Sequence, residues 1–173
     1  LLGMLMPSSD DSAKDREIFL KIMTMDESGL LLRKYKSIPE SVIVDELKKM
    51  QPSIKKRFLD NKNSLRILSR EEKNELQKRI FKNLPYSEKI KYCVRPEQIV
   101  GPTEDDWNEI NSHIKTHAGS LPELIQELGE QKFNRTPFVG DCFCGGGSIP
   151  FEAARLGCET HATDLNPVAT LLT

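Results

Sequence analysis

No hydrophobic run in this chain of 173 residues approaches the roughly 20 residues that a helix needs to cross a bilayer. The apolar start Leu1–Met6 is shorter than a signal-peptide core and lacks a basic flank. A soluble, cytoplasmic protein with no membrane partner is expected. Cysteine is scarce, and the four residues at 93, 142, 144 and 158 lack zinc-ligand spacing. Three of them lie in or beside expected buried strands, where a free thiol behaves as a small hydrophobe. Cys142 and Cys144 would face one side of a strand, but two thiols do not complete a metal or redox site. His113 and His117 fall one helical turn apart, yet Ile114 stands where H-E-x-x-H has its glutamate, so surface histidines are expected rather than a metal pair. Internal repeats and low-complexity tracts are absent as well.

Most of the chain that remains reads as helix. Ser69 with Glu72 and Ser120 with Glu123 have the spacing of capping boxes. Leu121, Leu124, Ile125 and Leu128 form an apolar stripe before Gly129, which is expected to end that helix. Thr103 is placed to cap a helix carrying Trp107, Ile110 and Ile114, and residues 16–25 and 42–50 have helical faces. Pro39, Pro52, Pro85, Pro96 and Pro102 punctuate these segments.

The pattern changes at Pro137. Pro137–Phe143 is a short apolar and small-residue run that suits a buried parallel strand. Gly145, Gly146 and Gly147 then permit positive φ and let a ligand press against bare backbone, which no residue with a Cβ allows. A helix is expected over 149–156, with Ser148 as N-cap, Pro150 in its first turn and Gly157 as its stop. Residues 158–163 return as a second strand and hand over to Asp164, where an α/β sheet presents groups to a ligand outside the carboxyl ends of its strands. A carboxylate there can accept from both hydroxyls of a ribose. Strand, glycine turn, helix, strand and acid together describe a pocket for an adenosine-bearing cofactor. The alternative is a tight strand-to-helix connection with an incidental acid downstream, Asp141 serving only as a cap.

Glycine spacing separates the cofactor classes. A dinucleotide fingerprint G-x-G-x-x-G starting at Gly145 needs its third glycine at position 150, which is Pro150. A nucleotide-dependent oxidoreductase is therefore a distant competitor. The observed D-x-F-x-G-G-G, with Asp164 lying 23 positions after Asp141, resembles the first motif and following acidic loop of S-adenosylmethionine-dependent amino-methyltransferases. Leu84-Pro85-Tyr86-Ser87-Glu88-Lys89, Cys93-Val94-Arg95-Pro96-Glu97, Ser120-Leu121-Pro122-Glu123-Leu124 and the run Gly140–Cys158 resemble the large prokaryotic adenine-specific DNA methylases that contain a zinc-ribbon and occur among anti-phage systems. The resemblance is good over the last hundred residues or so and weak over the first sixty.

That resemblance implies an α/β fold: the start of a Rossmann-like methyltransferase sheet over 136–173, preceded by a mostly helical, partly basic region over 1–135. It implies S-adenosylmethionine as cofactor, with Gly145, Gly146 and Gly147 approaching its methionyl part, Asp141 near its ammonium group and Asp164 on its ribose. Phe143 either lines the same pocket or packs in the core, as the period-2 alternation of a strand would have it. The reaction implied is methyl transfer to adenine N6 of DNA, on a base flipped out of the stack. The (D/N)-P-P-Y tetrad that such enzymes need to polarise the target amine does not occur in the chain; Asn83-Leu84-Pro85-Tyr86 comes near it but has Leu84 for the first proline and is expected in an interhelical turn. No catalytic residue is therefore assigned, and no turnover is expected of these residues alone. The chain reads as a piece of a longer methylase, whose partners would be DNA, the rest of the methylase and other defence-system proteins.

Charge is uneven. Residues 48–95 carry fifteen Lys or Arg against five Asp or Glu, whereas 96–173 carry four against twelve. Such asymmetry suggests a polyanion-facing region, with Lys55, Lys56, Arg57, Arg66 and Arg70 as candidate phosphate contacts that would position nucleic acid without reading its sequence. Solvated helix faces are the alternative. A non-catalytic helical module that binds nucleic acid or a protein, its glycine loop vestigial, is the competing function.

Overall fold

The computed structural model describes residues 1–172. Along the chain, helices α1 (Leu2–Leu5) and α2 (Ser12–Ile22) are followed by α3 (Glu27–Arg33), α4 (Glu40–Lys49), α5 (Pro52–Phe58), α6 (Arg70–Asn83) and α7 (Tyr86–Lys89). Helices α8 (Glu104–Ile114) and α9 (Leu121–Phe133) then lead to strand β1 (Phe138–Asp141), helix α10 (Ser148–Arg155), strand β2 (Glu159–Ala162) and helix α11 (Pro167–Leu172). The protein is thus mixed α/β and mostly helical, and among the described residues its one sheet is the parallel pair β1–β2. Among the same residues, no helix is long and apolar enough to cross a membrane.

Two compact units divide the chain: residues 1–23 with 101–173, and residues 24–100. This grouping cuts across the expected division at residue 135. Helix α9 falls in the helical part by sequence, yet its Leu124, Ile125 and Leu128 share one core with Ala153 and Cys158 of the β1–α10–β2 segment.

In the first unit, Thr103 and Asp106 cap α8 reciprocally, and three acids in its first turn favour the positive end of the helix dipole. Trp107, Ile110 and Ile114 form the stripe that α8 buries with Ile18 and Ile22 of α2. Lys115, at φ 58°, ends this helix, so His117 lies beyond it and the two histidines do not share one helical turn. For α9 half of the expected capping box is present: Ser120 accepts from the Glu123 N–H, but the Glu123 carboxylate accepts instead from the Gly119 N–H at 2.8 Å. Gly129 does not stop the helix, which continues to Phe133 and ends at Asn134 with φ 53°. Pro137 folds back onto Gly129 so closely that a Cβ there would lie 2.5 Å from Pro137 Cγ. Close approach, not termination, is what this glycine provides.

Polar side chains join α2 to α8. Lys21 Nζ donates to Glu109 at 2.7 Å and to Asp106 at 3.0 Å. His113, expected at the surface, is instead half-buried, its Nε2 lying 2.7 Å from Asp15 Oδ1. Sequence reading missed this pair because 98 residues separate the partners. The Ser9 backbone N–H, followed by His113, holds the Asp15 carboxyl at about 2, below its ordinary 3.8. A carboxyl depressed in the folded state contributes stability that is complete above its unfolded value and is lost as pH falls through the folded one. Thermal melts followed by circular dichroism should therefore show the wild type more stable than Asp15→Asn near neutral pH, the gap narrowing between about pH 4 and pH 2. A gap that stays constant through that window would contradict the pairing.

Residues 24–100 enclose a second core of Leu30, Ile38, Ile43, Leu47, Phe58, Leu59, Leu76, Ile80, Phe81 and Leu84. Here the expected Ser69–Glu72 capping box forms in full at the start of α6. Pro39, Pro52 and Pro85 stand at the starts of α4, α5 and α7, where a missing N–H costs nothing. Asn83–Tyr86 joins α6 to α7 in this unit, a turn as expected.

Candidate cofactor site

Strand β1 pairs with β2 in parallel, Phe138 opposite Glu159 and Asp141 opposite Ala162, with α10 as the crossover. Both strands are shorter than expected because the chain turns as soon as β1 ends: the Asp141 carboxylate accepts from the Phe143 N–H at 3.1 Å. The turn is then fastened to the end of β2. Thr163 N–H donates to the Asp141 carbonyl at 2.9 Å, and Cys144 N–H to the Thr163 carbonyl at 3.1 Å. Cys144 is buried, whereas Cys142 is exposed.

Gly145 and Gly147 adopt left-handed φ of 51° and 72°, a region costly to any residue with a Cβ. Gly147, not Ser148, is the N-cap of α10. A Cβ built on Gly145 or Gly146 would meet nothing within 4 Å, so the loop presents bare main chain to open space. The first turn of α10 adds the positive end of a helix dipole beside this loop. Asp164 closes the arrangement: its Oδ2 accepts from the Gly145 N–H at 2.8 Å and its Oδ1 from the Asn166 N–H at 2.8 Å. These main-chain donors, Asn166 first and Gly145 second, hold the Asp164 carboxyl below its ordinary value. The two acids expected at the site thus stand at or just past the carboxyl ends of adjacent parallel strands, with the glycine loop bonded directly to one of them.

No protein-family model, curated protein or solved structure matches the chain. What the loop can do rests on its own geometry.

Phe143 departs from the core-packing expectation. Because β1 ends at Asp141, strand alternation does not reach it, and it is 70% exposed on the loop. Ile149, Phe151 and Leu165 are also exposed, which leaves apolar surface beside the glycines. The glycine loop is therefore an open face. A cavity of about 570 Å³ in the same unit lies elsewhere, lined by Ser9, Asp10, Asp15, His113, Lys115 and Gln131 among others. Among the described residues, no group of three or more His, Cys, Asp or Glu is placed to hold a metal ion.

The five candidate phosphate contacts all belong to residues 24–100. Leu59 bridges Leu65, and Arg66 donates from its backbone N–H to the Phe58 carbonyl at 2.9 Å and from Nε to the Leu59 carbonyl at 3.0 Å. Arg57 lies near enough to Glu72 for its charge to act on that carboxyl. The end of α5 thus meets the segment that leads into α6, with Arg66 bonded to the residues that follow Arg57 and with Arg70 at the first position of α6. Lys55 is half-buried and Lys56 exposed; as neighbours on one helix they point about 100° apart and do not share a face.

Proposed function

We propose that residues 137–166 form the cofactor-binding start of a Rossmann-like, S-adenosylmethionine-dependent methyltransferase acting on adenine N6 of DNA. The observation that carries this reading is the direct bond between Gly145 and Asp164. It places bare, left-handed main chain and a ribose-competent carboxylate side by side at the ends of two parallel strands. The residues fit such a cofactor. Main-chain donors keep Asp164 ionised; they take up part of the roughly four lone-pair sites of a carboxylate, and what remains is the acceptor chemistry that ribose hydroxyls call for. The open space over Gly145 and Gly146 admits a methionyl chain. On this reading Asp141 meets the ammonium group, and Phe143, exposed on the loop, makes an apolar contact with the ligand. The cofactor supplies the electrophilic methyl group; the protein binds and orients it. The polarising (D/N)-P-P-Y tetrad is supplied from outside these residues, so methylation by this chain alone is not expected. A radiolabelled methylation assay that showed turnover would contradict that assignment.

Calorimetric titration tests the pocket itself. S-adenosylmethionine should give saturable heat and NAD⁺ none, and Asp164→Ala should weaken binding about tenfold or more, since each hydrogen bond lost to a charged group is worth about 1.5–3 kcal/mol. No heat with S-adenosylmethionine would leave the competing module, a helical nucleic-acid-docking protein, which the basic residues at the α5–α6 junction favour.

A further inference from the structure

We infer that residues 24–100 carry a single-stranded nucleic-acid contact, distinct from the α5–α6 cations, at the seam where Arg33–Lys36 runs beside Lys89–Arg95. It is independent of the cofactor reading, since every residue involved lies outside the glycine-loop unit. Lys34 and Cys93 form an antiparallel bridge. The N–H groups of Tyr35 and Lys36 both donate to the Tyr92 carbonyl, at 3.0 and 3.2 Å, and the Val94 N–H donates to the Arg33 carbonyl at 2.9 Å. The buried Arg33 guanidinium fastens the seam from beneath, Nε donating to the Val94 carbonyl at 2.9 Å and Nη1 to the Thr24 carbonyl at 3.1 Å. Both are neutral acceptors, so these bonds leave the charge in place.

Further cations converge there. Burial pushes the Cys93 thiol up, while Arg33, Lys34 and Lys89 lie near enough to act on it in the opposite sense. Residues 28–39 contain no acid. Lys36 Nζ stands 5.1 Å from the centroid of the Tyr35 ring, and Tyr35 is 58% exposed, a flat side chain held outward in a cationic setting. The flanking cations are partly neutralised, Lys91 by Glu88 at 2.7 Å, Arg95 more distantly by Glu97 at 3.9 Å and Lys89 by the nearby Glu27; at the centre Lys34 is half-buried, its ammonium held below its ordinary value by desolvation, and Lys36 is exposed. Cations that track a phosphate chain beside an exposed ring on which a base can stack are the features that single strands require. A duplex offers phosphates but keeps its bases stacked within, and an acidic protein offers charge without a base to stack.

Fluorescence anisotropy with the whole chain tests this, using labelled oligothymidine, the same strand in a duplex, and heparin as a charge-only competitor. Oligothymidine should bind more tightly than the duplex. Tyr35→Ala should weaken it about tenfold and Tyr35→Phe should restore it, as expected for stacking. Lys34→Gln with Lys36→Gln should flatten the salt dependence, by about 0.7 in log–log slope per lysine that contacts phosphate. The inference is overturned if duplex or heparin competes as well as the single strand, or if Tyr35→Ala, melting like the wild type, binds oligothymidine unchanged. Because no cofactor is added, failure here and failure of the glycine-loop reading are separate results.

Discussion

Gly145→Val is expected to weaken S-adenosylmethionine binding by about a hundredfold or more while leaving the helical cores intact. Two effects add. At φ 51° the residue sits in the left-handed region, where a side chain other than glycine costs on the order of 1–3 kcal/mol, and a β-branched one falls at the upper end. The position over Gly145 is also open, with nothing within 4 Å of the point where a Cβ would stand, so valine would fill the space assigned to the ligand. The steric block, with whatever strain the free loop relieves and must take up again on binding, amounts to about 3 kcal/mol or more, and about 1.4 kcal/mol is a factor of ten. The same openness means that valine clashes with no core side chain, so the melting midpoint should fall only by the cost of loop strain. Calorimetry alongside thermal melts separates the two. Unchanged affinity for the cofactor, with the melt lowered as expected, would remove the loop from the binding site.

Much of this site was legible in the sequence because its logic is local. The order of strand, glycine turn, helix, strand and acid is written in fewer than thirty consecutive residues, and β1, α10 and β2 follow it within a few positions. What the sequence did not show was the direct bond between Gly145 and Asp164, 19 residues apart; the two were expected to meet only through a shared ligand. The core-packing alternative for Phe143 failed because strand alternation was carried two residues too far. Helix starts were legible where a side chain caps its own chain, as at Ser69 and Thr103. Helix ends set by tertiary approach were not, and Gly129 shows why: its partner, Pro137, lies beyond the helix, and glycine permits both a stop and a close contact. The seam at Tyr35 escaped for a related reason. Its two segments are more than fifty residues apart, and the charge surplus was read from Lys48 onward, which leaves out Arg33, Lys34 and Lys36.

Gln77→Leu should destabilise residues 24–100 by about 2–5 kcal/mol although it replaces a polar side chain on an apolar stripe with an apolar one. In α6 the buried positions are Leu76, Gln77, Ile80 and Phe81, and periodicity alone would favour leucine at 77. The structure gives the amide a task. Its Oε1 accepts from the Ile38 N–H at 2.8 Å, and its Nε2 donates to the Ile38 carbonyl at 2.9 Å. Ile38 is only 2% exposed and precedes Pro39, outside any helix that could satisfy its main chain. Leucine would leave a buried donor and a buried acceptor unpaired, each costing about 1–3 kcal/mol, offset in part by its greater hydrophobicity. Gln77→Glu tests the same contact through pH. A protonated glutamic acid can pair with both Ile38 groups, whereas the carboxylate cannot donate and is buried beside a carbonyl, so its folded-state pKa should rise above the unfolded one. The sign then follows: this variant should approach wild-type stability in mild acid and lose it as pH rises through that raised value. Urea titrations of the wild type and both variants across that range would decide the matter. A Gln77→Leu variant within about 0.5 kcal/mol of wild type, the usual scale of surface substitutions, would mean that the Ile38 main chain is satisfied without it.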